Sequence, residues 1–308
     1  MIPSDNTKRN SCFHKSFNII LIYQFVKKYK WVMGIPIFTH NDIEINYIMK
    51  GKGEPLVLVH GFGTKYQGWN FQISYFEKRM KVIALDNRGV GKSSRPNYHY
   101  TMDMFVEDIK ALLDHLNIQD KIHLCGISLG GMIVQNFVLK YPEKTKTLIL
   151  CATSACYDPG PLFQSFELIK ELNLEERVEA LLPFTHSRTF IRKLKNDQKL
   201  FDSLKEDTLF ITPMNDPTHY QDYMNQANAM YSHDTREFLN KIRIPTLIFG
   251  ANKDRLIPSP HQEFLHEKIL NSKLEILKGC GHAFTIEMPE KVNELMWNFI
   301  KENSLGEN

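Results

Sequence analysis

Apolar residues along the chain alternate between two kinds of pattern. From residue 34 onward, short runs recur: IEINYIM (43–49), PLVLVH (55–60), KVIALD (81–86), IHLCG (122–126), TLILCA (147–152), PTLIFG (245–250) and KLEILKG (273–279). Several are near-continuous, which suits strands covered on both faces of a sheet. Between them the apolar positions return every three or four residues. In DMFVEDIKALLDHLN, Phe105, Ile109, Leu112, Leu113 and Leu116 make one stripe, the buried face of an amphipathic helix. Strand and helix in alternation predict right-handed crossovers, and so an α/β fold with a mostly parallel central sheet flanked by helices.

One interval breaks the rhythm. The stretch from the run ending near Ala152 to the run starting at Pro245 is too long for a connection. It holds helical patterns in FELIKEL and ERVEALLPF, turn signals in TPMNDPTHY and no clear strand, and predicts an inserted helical lid, or cap, over 155–240. The core is then 33–154 together with 241–308. Phe163, Phe166, Leu181, Leu182, Phe184, Phe190 and Met230 in the insertion suit an apolar acyl pocket, but at helical spacing they are read mainly as packing. Residues 1–32 stand apart as an N-terminal extension, read as a docked or frayed helix, with disorder, a non-native segment and a start at Met33 as the alternatives. Their apolar run FNIILIYQFV is too short to span a bilayer and no small-x-small cleavage site follows it, so no stable membrane insertion is expected.

Composition narrows the function classes. With 43% hydrophobic and 24% charged residues and a formal charge of +3, the 308-residue chain has no basic face for nucleic acid. Its five cysteines are scattered without CxxC or Cys/His spacing, which argues against a disulfide framework or a metal site and for a cytoplasmic, reducing compartment.

The chemistry concentrates in a few loops. IHLCGISLGG runs from a strand into a helix through Gly126, Ser128 and Gly130 on the pattern G-x-S-x-G. A serine on such a sharp corner stands clear of the sheet, and the helix behind it points free N–H groups and its positive end at the hydroxyl. The hydroxyl needs a base, and the base needs an orienting acid. Of twelve histidines, His282 in GCGHAF has the right placing, in a Gly-rich loop between a strand and the C-terminal helix. Asp254 in GANKDRLIP follows the preceding strand in the same manner; Asp158 in CYDPG is the rival acid. Backbone N–H groups of Phe62, in HGFG after the strand PLVLV, and of Leu129 are the candidate oxyanion hole, with His60 as a loop-stabilising hydrogen bonder. DNRGVGKSS (86–94) ends like a phosphate-binding loop, but Asp86 stands where that motif needs glycine and no helix opens directly after it, so no nucleotide is expected.

HGFG, DNRGVGKSS, GISLGG, the Asp of GANKDRLIP and the His of GCGHAF, in this order over about residues 34 to 302, closely resemble the α/β-hydrolase fold family of serine hydrolases. SHDTREFLNKIRIPTLIFG further looks like its esterase and 3-oxoadipate enol-lactonase branch. The resemblance implies a Ser128, His282, Asp254 triad, a lid over the site, no cofactor and a small ester-like substrate. It also makes DNRGVGKSS a structural brace in which Asp86 and Arg88 pair, Ser93 bonds backbone and Lys92 is incidental. The expected activity is hydrolysis of a small carboxylic ester or lactone through an acyl-enzyme. Related readings are a carbon–carbon bond hydrolase of ring-cleavage products, against which Ala283 stands where an aromatic residue commonly follows the histidine; a cofactor-free haloperoxidase-like enzyme; and a ligand-binding receptor on the same scaffold. Ser128 argues against dehalogenases and epoxide hydrolases, which carry Asp at that corner.

Overall fold

The computed structural model describes residues 36–157, 172, 174–207 and 217–304. In chain order the elements are β1 (Ile37–His40), β2 (Ile43–Lys50), β3 (Pro55–Val59), α1 (Asn70–Phe76), β4 (Lys81–Leu85), α2 (Met102–His115), β5 (Ile122–Ile127), α3 (Leu129–Lys140), β6 (Thr145–Cys151), α4 (Leu174–Thr185), α5 (Arg188–Asn196), α6 (Gln198–Asp207), α7 (Pro217–Tyr231), β7 (Thr246–Ala251), α8 (Pro260–Lys268), β8 (Ser272–Leu277), α9 (Phe284–Glu287) and α10 (Pro289–Ser304).

The strands form one eight-stranded sheet in the order β1-β2-β4-β3-β5-β6-β7-β8. From β4 through to β8 all neighbours are parallel, while β1 and β2 run antiparallel at one edge. Every residue of β3, β5 and β7 is buried, whereas edge strand β8 alternates half-buried and exposed positions along most of its length. Central strands therefore read as apolar runs and edge strands do not. This is why β1 escapes the sequence pattern: it has only four residues and leaves Ile37 49% exposed.

Two apolar layers cover the sheet. On one face the strands meet α2, α3 and α8, with Phe105, Ile109, Leu112, Met132, Phe137 and Leu265 buried. On the other they meet α1 and α10 through Ile73, Phe76, Val292, Met296 and Phe299. The expected stripe of α2 faces the sheet, and Thr101 caps that helix by accepting the Met104 N–H.

Between β6 and β7 the described residues fold as α4 to α7. ERVEALLPF lies in α4 as expected, while FELIKEL falls outside the described residues except Leu172, as do Phe163, Phe166, Asp158 and residues 1–32. One expectation is corrected: the second half of TPMNDPTHY is the first turn of α7, not a turn between helices. Pro217 stands at the first helical position, where its missing N–H costs nothing and its fixed φ helps. Leu182, Phe190 and Leu194 pack on Ile286, and Met230 joins the main core; Phe184, by contrast, is 43% exposed.

The DNRGVGKSS loop corrects a second expectation, because Asp86 and Arg88 do not pair. The Asp86 carboxylate turns inward and accepts from Asn46 Nδ2 at 2.6 Å, Tyr66 N at 2.8 Å and Lys92 N at 3.1 Å. Arg88 turns to α2 and forms a buried bidentate pair with Asp108, both bonds at 2.7 Å. Ser93 donates to the Asp86 carbonyl and accepts the Asn46 N–H. The loop's polar atoms are thus turned onto the protein, and the Lys92 side chain is exposed.

Candidate active site

The candidate residues lie at the carboxyl ends of β3, β5, β7 and β8. Ser128 joins β5 to α3 at φ 57° and ψ −121°, a conformation that costs a non-glycine residue about 1–3 kcal/mol. The glycines around it are there for space. A Cβ on Gly126 would lie 2.3 Å from the Gly130 carbonyl oxygen, and one on Gly130 would lie 2.2 Å from the Val59 carbonyl oxygen. The corner is pinned on both sides: Ser128 N donates to the Cys151 carbonyl at 2.9 Å, and Thr153 Oγ1 donates to the Ser128 carbonyl at 2.8 Å.

His282 and Asp254 come together from the loops after β8 and β7. Nδ1 of His282 lies 2.8 Å from Asp254 Oδ2, and both residues are buried. The other carboxylate oxygen, Oδ1, accepts the N–H groups of Leu256 at 2.8 Å and Ile257 at 2.9 Å. Those bonds fix the carboxylate and leave one oxygen for the imidazole. A carboxylate at Nδ1 selects the tautomer with the proton there, so Nε2 keeps a lone pair. Among the described residues His282 bonds to Asp254 and not to the Ser128 hydroxyl. Catalytic hydrogen bonds of this kind are often long in an unliganded site and tighten around substrate.

The HGFG loop passes directly beside the serine, since a Cβ on Gly61 would lie 3.0 Å from Ser128 Cβ. Phe62 is half-buried with its ring against Tyr223 of α7, and Leu129 is the first residue of α3. The Leu129 N–H belongs to a first turn that has no intrahelical acceptor. His60 accepts the Gly61 N–H at Nδ1, 2.8 Å away, while Asn87 Nδ2 donates to the His60 carbonyl, tying this loop to DNRGVGKSS.

Two more buried imidazoles stand near His282. Burial, then the proximity of His282, lowers His60 and His186 each to about 3. Both are neutral at physiological pH, and neither competes as the base. His186 sits at the end of α4, where the insertion meets the His282 loop: Ala283 N donates to the Thr185 carbonyl at 2.9 Å. Glu287 closes that contact, accepting from Ser187 N at 2.9 Å, Ser187 Oγ at 2.6 Å and Gly281 N at 3.1 Å. Burial nonetheless leaves its carboxyl raised from the ordinary value. Glu287, Asn46 and Asp108 carry no motif, and only their contacts identify them.

Among the described residues no cluster of three or more His, Cys, Asp or Glu is arranged to hold a metal ion, and no helix is long and apolar enough to cross a membrane. Cys125, Cys151, Cys156 and Cys280 are free thiols.

Residues 54–289 match the family model described as the alpha/beta hydrolase fold. The chain is 29% identical over 258 residues to 3-oxoadipate enol-lactonase 2 of Acinetobacter baylyi, covering 83% of this chain and 92% of that protein. It is 30% identical over 275 residues to the 2-hydroxy-6-oxononadienedioate/2-hydroxy-6-oxononatrienedioate hydrolase of Escherichia coli, covering 84% and 91%. Among solved structures it superposes on an alpha/beta hydrolase enzyme from a Medee basin deep-sea metagenome library with a TM-score of 0.77 and 25% identity, over 86% of this chain and 97% of that one.

Proposed function

The chain belongs to the alpha/beta hydrolase fold family and is a hydrolase, and on that premise we propose that it cleaves a small carboxylic ester or lactone through a serine acyl-enzyme. The observation that carries this reading is the His282–Asp254 bond at 2.8 Å, formed from two separate loops at the same end of the sheet as a serine held at φ 57°. In the proposed reaction the Ser128 hydroxyl attacks the ester carbonyl while His282 Nε2 takes its proton. Asp254 holds the imidazole and stabilises the charge it gains. The N–H groups of Phe62 and Leu129 receive the oxyanion of the tetrahedral intermediate. Collapse expels the alcohol, which leaves with the proton from His282. Water then attacks the acyl-enzyme with His282 as base, and the acid product departs.

Residues 155–240 act as the lid of a core made of 33–154 and 241–308. The contact of Thr185 and Ser187 with the His282 loop and Glu287 supports that role. The free thiols support a cytoplasmic setting. A second reading, hydrolysis of a carbon–carbon bond in a ring-cleavage product, draws support from the Escherichia coli relative, with Ala283 beside the histidine weighing against it.

The test is labelling by a fluorophosphonate probe together with turnover of short p-nitrophenyl esters. The wild type should label and turn over, and Ser128→Ala should do neither. An inert wild type that is folded would defeat the enzyme reading in favour of a ligand-binding scaffold. An enol-lactone and a ring-opened dienoate in the same assay separate the two bond types. A halogenation assay addresses the haloperoxidase reading.

A further inference from the structure

One side chain of the inserted helices ties together the loops that follow β3 and β4, the first of which passes beside the serine. Gln226 on α7 is 1% exposed. Its Oε1 accepts the Gly63 N–H at 2.9 Å, and its Nε2 donates to the Arg88 carbonyl at 2.9 Å. One carboxamide thus joins the HGFG loop to the DNRGVGKSS loop.

Gly63 is shaped for this contact. It stands at φ +61°, and a Cβ there would lie 2.4 Å from Tyr223 Cε1, so glycine lets the loop sit directly on α7. The Phe62 ring lies 5.3 Å from the Tyr223 ring, centroid to centroid. The peptide joining Phe62 to Gly63 is held at both ends: its carbonyl accepts from Thr64 Oγ1 at 3.0 Å and its N–H goes to Gln226. A peptide is a rigid plane, so holding both ends sets ψ of Phe62. The Phe62 N–H belongs to the preceding peptide, whose Gly61 carbonyl accepts the Thr64 N–H at 3.3 Å, so the peptides on both sides of the Phe62 Cα are restrained together.

We propose that Gln226 is a positioning residue for the Phe62 N–H, making the oxyanion hole complete only while its carboxamide bridges Gly63 and Arg88. The proposal rests on the reading of Phe62 and Leu129 as that hole. An oxyanion donor works because it is aimed before charge develops. Losing its support therefore weakens binding of the transition state more than binding of the ester.

The experiment compares wild type, Gln226→Leu, Gln226→Glu and Asp222→Asn in turnover of p-nitrophenyl acetate, fluorophosphonate labelling, inhibition by an arylboronic acid and thermal unfolding. Asp222→Asn removes the charge of the Arg95–Asp222 ion pair, 2.6 Å long, and so loosens α7 without touching Gly63. For Gln226→Leu, kcat should fall about ten- to a hundredfold while KM stays within about twofold. Affinity for the boronate, which mimics the tetrahedral species, should fall in step with kcat. Gln226→Glu should approach wild-type activity as pH falls, because only the protonated acid can both accept from Gly63 and donate to Arg88.

A folded Gln226→Leu with wild-type kcat, or with only KM raised, overturns the proposal. So does an equal kcat loss in Asp222→Asn, which would make the effect one of docking in general. Should Gln226→Leu fail to fold, Gln226→Glu decides: a ratio to wild type that does not change with pH overturns the proposal, and a rising ratio supports it. A wild type that neither labels nor turns over removes the hydrolase site itself, and the proposal with it. That failure is told apart from the others because they all occur on an active wild type.

Discussion

Two histidine–carboxylate pairs lie at opposite ends of the same parallel sheet, and they differ in what their second nitrogen does. At the carboxyl ends His282 Nδ1 meets Asp254 at 2.8 Å; at the amino ends His123 Nε2 meets Glu54 at 2.7 Å. His123 is closed off, because its Nδ1 also lies 2.8 Å from Thr147 Oγ1 and its side chain is fully buried. Glu54 is shared further, with Lys146 Nζ at 3.1 Å and with Ser304 Oγ at 2.8 Å, which fastens the end of α10 to the bottom of the sheet. Among the described residues His282 Nε2 makes no such bond. The pair alone is therefore not the chemistry. A bonded imidazole becomes a base only when one nitrogen stays open beside a nucleophile, and a closed pair is a clamp.

The strongest way to break this contrast is to delete each histidine. His282→Ala and Asp254→Asn should each cost about ten-thousand-fold in kcat with melting temperature little changed. In the asparagine variant Oδ1 can still serve Leu256 and Ile257, but an amide N–H facing Nδ1 selects the wrong tautomer. His123→Ala should do the reverse, leaving kcat near wild type while lowering stability by roughly 2–4 kcal/mol, from a buried void and an orphaned Thr147 hydroxyl. Steady-state kinetics beside urea unfolding reads both axes. A folded His123→Ala with collapsed kcat would erase the distinction.

How much of this was legible in the sequence follows the range of the forces involved. The strands from β2 to β8 announce themselves because burial demands apolar runs, and β1 does not because an exposed edge makes no such demand. Ser128 is legible because its corner needs glycines within a few residues. His282 and Asp254 are legible from their place after consecutive strands, although their meeting is a fact of three dimensions. Asp86 and Arg88 show the opposite case. Two residues apart in a loop, they suggest a pair, yet the chain turns them to opposite sides, and the real partner of Arg88 is twenty residues on, in α2. Gln226 and Glu287 left no mark at all, because a polar residue on a helix looks the same whether it meets water or a loop from elsewhere in the chain.

Glu54 provides a finer test of the closed pair. Burial raises its carboxyl, but hydrogen bonds from His123, Ser304 and Lys146 outweigh that and hold it at about 2, against an ordinary 4.5. A carboxyl depressed in the folded state contributes stability that is complete above the unfolded value and disappears as pH falls through the folded one. The side chain is 42% exposed, so solvent screens the gain to about 1 kcal/mol. Glu54→Gln should be less stable than wild type by that amount at pH 5 and above, with the gap closing between pH 4.5 and 2. Urea unfolding of both proteins across this range measures it. Because the clamp lies at the amino ends of the strands, kcat of Glu54→Gln should match wild type at every pH where both stay folded; a change in kcat would mean that the two ends of the sheet are coupled.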